Sequence, residues 1–216
     1  MTHRWIIATR NSGKLIELQP ILAARGIEAI GLDEAGVAIS GAEDALEIFD
    51  TFEANATAKA EYFARLCMLP CLADDSGLQV DALDGAPGVR SRRFAADRGC
   101  VVSERTDETV SNNEVLVAAC WDSGRAPPWR ARFVCAAAWS DGSQTHVAVG
   151  SSDGAILPEP KGSDGFGYDP FFLSDDLGVT FAVASQQEKA AVSHRARAVA
   201  ALLDQLALVA RDTSDR

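Results

Sequence analysis

The sequence predicts an α/β protein built on a mixed sheet flanked by helices. Strand-like and helical segments alternate along the chain, one pair of strands reads as a hairpin, and neither a repeat nor a clear linker divides the 216 residues. That length fits one domain with room for a second lobe, and about residues 211–216 read as a frayed tail.

Trp5 to Thr9 reads as a short buried strand and "RNSG" as a turn. Lys14 to Arg25 reads as a helix that Gly26 stops, although Pro20 inside it removes a hydrogen bond and should kink the axis. Glu28 to Leu32 is a second strand, overlapped by an acidic, irregular stretch from Gly31 to Phe49. Asp50 and Glu53 have the spacing of a capping box, and Ala56, Ala60, Phe63, Ala64 and Cys67 continue on one helical face, with Lys59 among them. "PCLADDSGLQVDALDGAPGV" reads as strand, sharp turn, strand and a glycine–proline loop. Asp107 to Trp121 is a helix; Arg130 to Trp139 and Gln144 to Gly150 flank the hairpin turn "SDGS". Pro158 to Pro170 is a polar loop, and Val199, Leu202, Leu203, Leu206 and Val209 mark a final amphipathic helix beginning near Ser193.

Composition narrows the function. Hydrophobic residues at 47% and charged residues at 24% are ordinary for a globular core. A net charge of -11 repels polyanions, so a nucleic-acid polymer is excluded as partner, while a small anion is admissible if local cations or a metal cancel the field. The five cysteines are odd in number and lack paired C-x-x-C spacing, which reads as reduced thiols in a cytoplasmic protein. The first residues run directly into "WIIAT" without a signal-peptide core, and no apolar run approaches the roughly 18 to 20 residues of a membrane span.

Five segments carry chemistry. "NSGK" lacks the first glycine and the Ser or Thr of a Walker A loop, yet Gly13, helix N-terminal amides and Lys14 suit an anion; the alternative is a plain strand-to-helix turn. Lysine is scarce: Lys14, Lys59, Lys161 and Lys189 stand against sixteen arginines, and a compact ammonium suits several phosphate oxygens at once. The adjacent carboxylates of "ADDSGL" are costly if buried unpaired, which a magnesium ion would relieve; an Asx turn is the plainer alternative. "GFGYD" offers loop aromatics that either stack on a ligand or fold back on the body. In "SHRAR", His194 and Arg195 fall in a helix's first turn, opposing its macrodipole, so something else employs them.

In this order "ATRNSGKLIEL", "TFEANATAKA", "LADDSGLQVDALDGAPGV", "GSDGFGYDPFF" and "EKAAVSHRARAV" resemble the Ham1/RdgB family of inosine triphosphate pyrophosphatases, from Ile6 to about Leu206. The resemblance implies an elongated mixed α/β sheet, two lobes around a central nucleotide-binding cleft, and a homodimer. It implies Mg2+-dependent cleavage of ITP, dITP or XTP between the α and β phosphates, cleansing nucleotide pools. By position, Thr9, Arg10, Asn11, Ser12, Gly13 and Lys14 hold phosphates with Lys59; Asp75 is the catalytic carboxylate and a metal ligand; Ser76 touches substrate. Phe166, Gly167, Tyr168 and Asp169 stack on and edge-bind the base, and Lys189, His194 and Arg195 complete the nucleotide site. Glu47 falls at the family's metal-associated glutamate, but "EDALEIFDTF" departs from the usual pattern, which leaves Glu43 and Asp44 as competitors. Two rival functions are a nucleotide sensor without hydrolysis and a pyrophosphatase for another class of modified nucleotide.

Overall fold

A computed structural model describes residues 3–100 and 108–214. Its six strands are β1 (His3–Ile7), β2 (Ile27–Gly31), β3 (Cys71–Val80), β4 (Trp129–Ser140), β5 (Thr145–Ile156) and β6 (Phe172–Ser174). They form one sheet in the order β2-β1-β3-β4-β5-β6. The sheet is mixed: β1 runs parallel to β2 and β3, with Ile6 opposite Ile30 and Cys71, while β6 is antiparallel to β5. The helices are α1 (Ser12–Ala23), α2 (Phe52–Cys67), α3 (Phe94–Asp97), α4 (Glu108–Asp122), α5 (Gln186–Val192) and α6 (His194–Ser214). The expected start of the fourth helix at Asp107 and the last two residues of the tail, 215–216, lie outside the described residues. No helix among the described residues is long and apolar enough to cross a membrane.

The chain divides into two compact units, each with its own core. The first comprises Met1–Asp75, Cys135–Gly150 and His194–Arg216. Trp5, Ile7, Leu18, Leu22, Leu72, Ala137, Val199 and Leu202 pack together in it. α1 starts at its N-cap Asn11 and reaches Ala23 past Pro20, which is exposed, so solvent is at hand for the backbone partner a proline nitrogen cannot serve. Gly26, at a φ of 72°, turns the chain into β2. α2 is capped by Thr51, whose side chain accepts from Ala54 N at 3.2 Å, and not by Asp50. Starting one residue later makes Phe52, which is buried, the first helical residue. The irregular stretch before it contains a 3-10 turn, Gly41–Leu46, closed by a capping box between Ser40 and Glu43.

The second unit comprises Ser76–Val134 and Ser151–Ser193. Its core gathers Leu78, Val80, Phe94, Leu116, Trp129, Ile156 and Tyr168 around three rings, Phe133, Phe172 and Phe181. Phe133 and Phe172 have centroids 4.6 Å apart, and Phe172 and Phe181 5.0 Å, within the range where aromatic pairs attract. Three short elements have no counterpart in the sequence reading: α3, with four residues, β6, with three, and α5, which begins at a Ser185–Glu188 capping box. Periodicity has too few residues to register in any of them.

A second expectation is overturned. "ADDSGL" contains no sharp turn; β3 runs straight through it from Cys71 to Val80. Adjacent carboxylates are tolerated mid-strand because cations and an amide meet them.

Gly150 on β5 marks the tightest approach in the first unit. A Cβ there would sit 2.4 Å from Ala198 N and 2.5 Å from His194 O, both backbone atoms of α6, so neither can swing away. Gly150→Ala is therefore expected to destabilise by about 2 kcal/mol and lower the melting temperature by several degrees, as read by calorimetry.

Candidate active site

In the first unit the segment between β1 and α1 is ordered by its own side chains. Asn11 N donates to Thr9 Oγ1 at 3.1 Å, and Asn11 Oδ1 caps α1 by accepting from Lys14 N at 3.2 Å. Ser12 and Gly13 open the helix, and no acidic residue occupies its first turn, so the positive end of the dipole is unopposed there. Thr9 to Lys14 thus form one turn with backbone N–H groups at a helix start, the geometry that favours an anion.

Lys14 Nζ lies 2.9 Å from Asp74 Oδ2, and Arg195 Nε donates to the same oxygen at 3.1 Å. Asp74 and Arg195 are both buried, and Arg195 also pairs with Glu17 of α1. Burial alone would raise the Asp74 pKa, but Lys14, Arg195 and Lys59 reverse the shift and hold it far below the usual carboxylate range. Burial would lower that of Arg195; Asp74 and Glu17 overcome it and keep the guanidinium charged. His194, at the start of α6, is buried as well.

On α2, Lys59 is buried and its Nζ donates to Glu47 Oε1 at 2.7 Å and to the Asp74 carbonyl at 2.6 Å, with Asp75 Oδ1 at 3.9 Å. Desolvation opposes its charge, yet Glu47, Asp75 and Asp74 outweigh that and raise its pKa above the ordinary lysine value. Asp75 is shifted the other way from Asp74. Its burial dominates over the attraction of Lys59 and Lys14 and over the Asn55 amide, so its proton affinity is raised. Asn55 Nδ2 donates to Asp75 Oδ2 at 2.8 Å, and Asn55 Oδ1 accepts from Phe49 N at 2.9 Å, which ties the acidic segment to α2.

Of the three competing acids, Glu47 shares Lys59 with Asp75, whereas Glu43 is engaged by Arg10 and Asp44 is exposed. Arg10 NH2 donates to Glu43 Oε1 at 2.9 Å and Nε to Oε2 at 3.3 Å, and NH1 pairs with Asp33. The Arg10 hydrogen bonds lower the pKa of Glu43. No group of three or more His, Cys, Asp or Glu able to hold an ion occurs among the described residues. Glu47 and Asp75 nonetheless present hard carboxylate oxygens beside one lysine, and magnesium is commonly held by one or two carboxylates with substrate phosphates completing its shell. The donor set therefore fits that ion.

Ser76 follows Asp75 in β3 and is half-buried. The remaining predicted residues lie in the second unit, where "GFGYD" forms a tight turn. Asp169 Oδ2 accepts from Phe166 N at 2.8 Å and from Lys189 Nζ at 2.7 Å, and a Cβ on Gly165 would come within 2.2 Å of it. Lys189 Nζ also lies 4.8 Å from the Phe166 ring centroid, a cation–π contact in a buried setting. Tyr168 folds back: it is buried, and its hydroxyl donates to Ser91 O at 2.7 Å. Phe166 is half-buried. Asn113 Nδ2, on α4, donates to Gly167 O at 3.0 Å.

Four residues outside the predicted set thus shape these clusters: Glu17, Asn55, Asp74 and Asn113. Asn55 carried a signal, being an asparagine on the buried face of a helix where its propensity is poor. Asn113 carried a similar one. Glu17 carried none, because a glutamate on α1 reads as solvated until Arg195 is placed against it.

A model of the Ham1 family matches residues 5–205. A dITP/XTP pyrophosphatase of Ralstonia nicotianae is 42% identical over 208 residues, covering 95% of this chain and 97% of that protein. One of Nocardia farcinica is 42% identical over 217 residues, covering 97% and 98%. Among solved structures, a HAM1 protein from Coxiella burnetii superposes with a TM-score of 0.77 at 32% identity, covering 98% of this chain and 100% of that one. A nucleoside-triphosphatase / dITP/XTP pyrophosphatase from Mycobacterium abscessus gives 0.66 at 35% identity, covering 94% and 99%.

Asp74→Asn removes the negative charge shared by two cations in a dry site and is expected to cost about 3 kcal/mol. Asp97→Asn, which breaks the exposed 2.6 Å pair with Arg90, should cost under about 1 kcal/mol. Urea denaturation of both variants checks the contrast.

Proposed function

Because this chain belongs to the Ham1 family, we propose that it hydrolyses ITP, dITP and XTP to the monophosphate and pyrophosphate. The observation that carries this reading is the geometry: Asp74 and Asp75 are neighbours on β3, Lys14 Nζ lies 2.9 Å from Asp74 Oδ2, and Lys59 Nζ lies 2.7 Å from Glu47 Oε1 and 3.9 Å from Asp75 Oδ1. Asp74 is the fixed charge; Asp75 is the proton acceptor.

The turn from Thr9 to Lys14 binds phosphate oxygens through its N–H groups and the Lys14 ammonium, and Lys59 steadies the carboxylates. Asp75 accepts a hydrogen bond from a water placed in line with the α phosphorus. As the water oxygen bonds to phosphorus its proton passes to Asp75, and the bridging oxygen leaves with the pyrophosphate. Mg2+ held by Glu47 and Asp75 would neutralise charge on the triphosphate, which a chain of net charge -11 otherwise repels.

Phe166 supplies a ring face for the base, its orientation set by Asp169 and Lys189. His194 is the donor for the 6-oxo group, while Arg195 acts through Asp74. Guanine shares that oxygen, so rejecting GTP depends on the 2-position, where one mispaired buried group costs about 1 to 3 kcal/mol, or roughly tenfold to a hundredfold. The protein works in the cytoplasm as a homodimer; its five unpaired thiols suit a reducing compartment, and exposed Ile39, Ile48 and Phe49 supply apolar surface for a second copy.

Pyrophosphate release from ITP, GTP and ATP tests the reading. It should be selective for ITP and lost on chelation of magnesium, and Asp75→Asn should reduce turnover well beyond tenfold with the fold retained. Equal turnover of ITP and GTP would overturn the base reading. Release from no nucleotide by protein that still binds ITP would leave a sensor.

A further inference from the structure

Four charges of the first unit form a chain that begins and ends on α1. Lys14 and Glu17 are three residues apart, which places them as neighbours on the helix surface. Between them stand Asp74 of β3 and Arg195 of α6, and the charges alternate: Lys14, Asp74, Arg195, Glu17. Asp74 Oδ2 carries both Lys14 Nζ at 2.9 Å and Arg195 Nε at 3.1 Å. Glu17 takes the NH1 edge of the same guanidinium, and its side chain is 15% accessible against 2% for that of Arg195.

One carboxylate oxygen therefore serves two cations. A buried guanidinium needs compensation, and without Glu17 it draws more heavily on the Asp74 oxygen that it shares with Lys14. We propose that Glu17 is a positioning residue for triphosphate binding: by holding the far edge of Arg195 it leaves Asp74 able to fix the Lys14 ammonium at the N-terminus of α1. The inference rests on the reading of Lys14 as a phosphate ligand.

The simplest electrostatic account gives the opposite sign. Removing a negative charge one turn from Lys14 should tighten binding of a polyanion if only the local field mattered. Positioning gives weaker binding, and the sign separates the two.

The test is a double-mutant cycle on the full chain with inorganic triphosphate as probe, its Kd read by calorimetry in magnesium buffer. Glu17→Gln should raise Kd about tenfold, and Glu17→Asp, which keeps the charge, should recover part of the loss. In a Lys14→Ala background Glu17→Gln should add nothing further. Multiplying effects in the double variant, tighter binding in the single one, or no binding by the parent chain would each overturn the inference. If Glu17→Gln does not fold, the same cycle with Glu17→Asp carries the test, with a smaller rise that must likewise vanish beside Lys14→Ala. Pyrophosphate release by the parent chain is scored separately, so a failure of the hydrolytic reading and a failure of Glu17 coupling remain distinct results.

Discussion

The charges that join α1, β3 and α6 in the first unit depend on Asp74 being ionised where water cannot reach it. A lone carboxylate in that position would take up a proton. Lys14 from α1 and Arg195 from α6 prevent this. The three elements are consequently cross-linked by charge as well as by the apolar contacts of Leu18, Leu72 and Val199. The same requirement explains why "ADDSGL" stays extended: each carboxylate has partners along the strand, so no turn into solvent is needed. It also separates the two aspartates chemically, one committed to structure and the next left with a raised affinity for protons.

Much of this fold was legible in the sequence because its longer elements bury one regular face. The apolar positions of α2 and α6, the opening strand and the "SDGS" turn were readable from spacing alone. Lys14, Lys59 and the Asp74–Asp75 pair stood out because lysine is scarce and paired carboxylates are conspicuous, while the choice of Asp75 within the pair came from the family resemblance alone. What spacing could not give was partnership. Whether Glu43 or Glu47 approached Lys59 depended on how the 3-10 turn at Gly41–Leu46 was wound, and the sequence supplied only their nearness. Arg195 was marked as oddly placed for a helix start, but its reason, Asp74, lies 121 positions away. Tyr168 was ambiguous because a loop aromatic can face either way until its hydroxyl finds Ser91.

Glycines record where backbone or charge must come close. At Gly150 the strand lies against the backbone of α6, and at Gly165 the carboxylate of Asp169 occupies the space a side chain would take. The second case fixes more than a turn. Asp169 can bond Phe166 N and Lys189 together only because Gly165 leaves room, so the pose of the Phe166 ring traces to a residue with no side chain.

Lys14, Lys59 and Lys189, three of the four lysines, already hold carboxylates in the resting chain. An incoming anion at Lys14 or Lys59 therefore competes with an internal one already in place. A monoanion gains little by such an exchange, because it offers no more charge than the aspartate or glutamate it would displace. A ligand with several adjacent anionic groups, accompanied by a divalent ion that takes over a displaced carboxylate, improves on the resting arrangement. On the proposed reading the pre-paired lysines thus set a threshold on ligand valence at this turn.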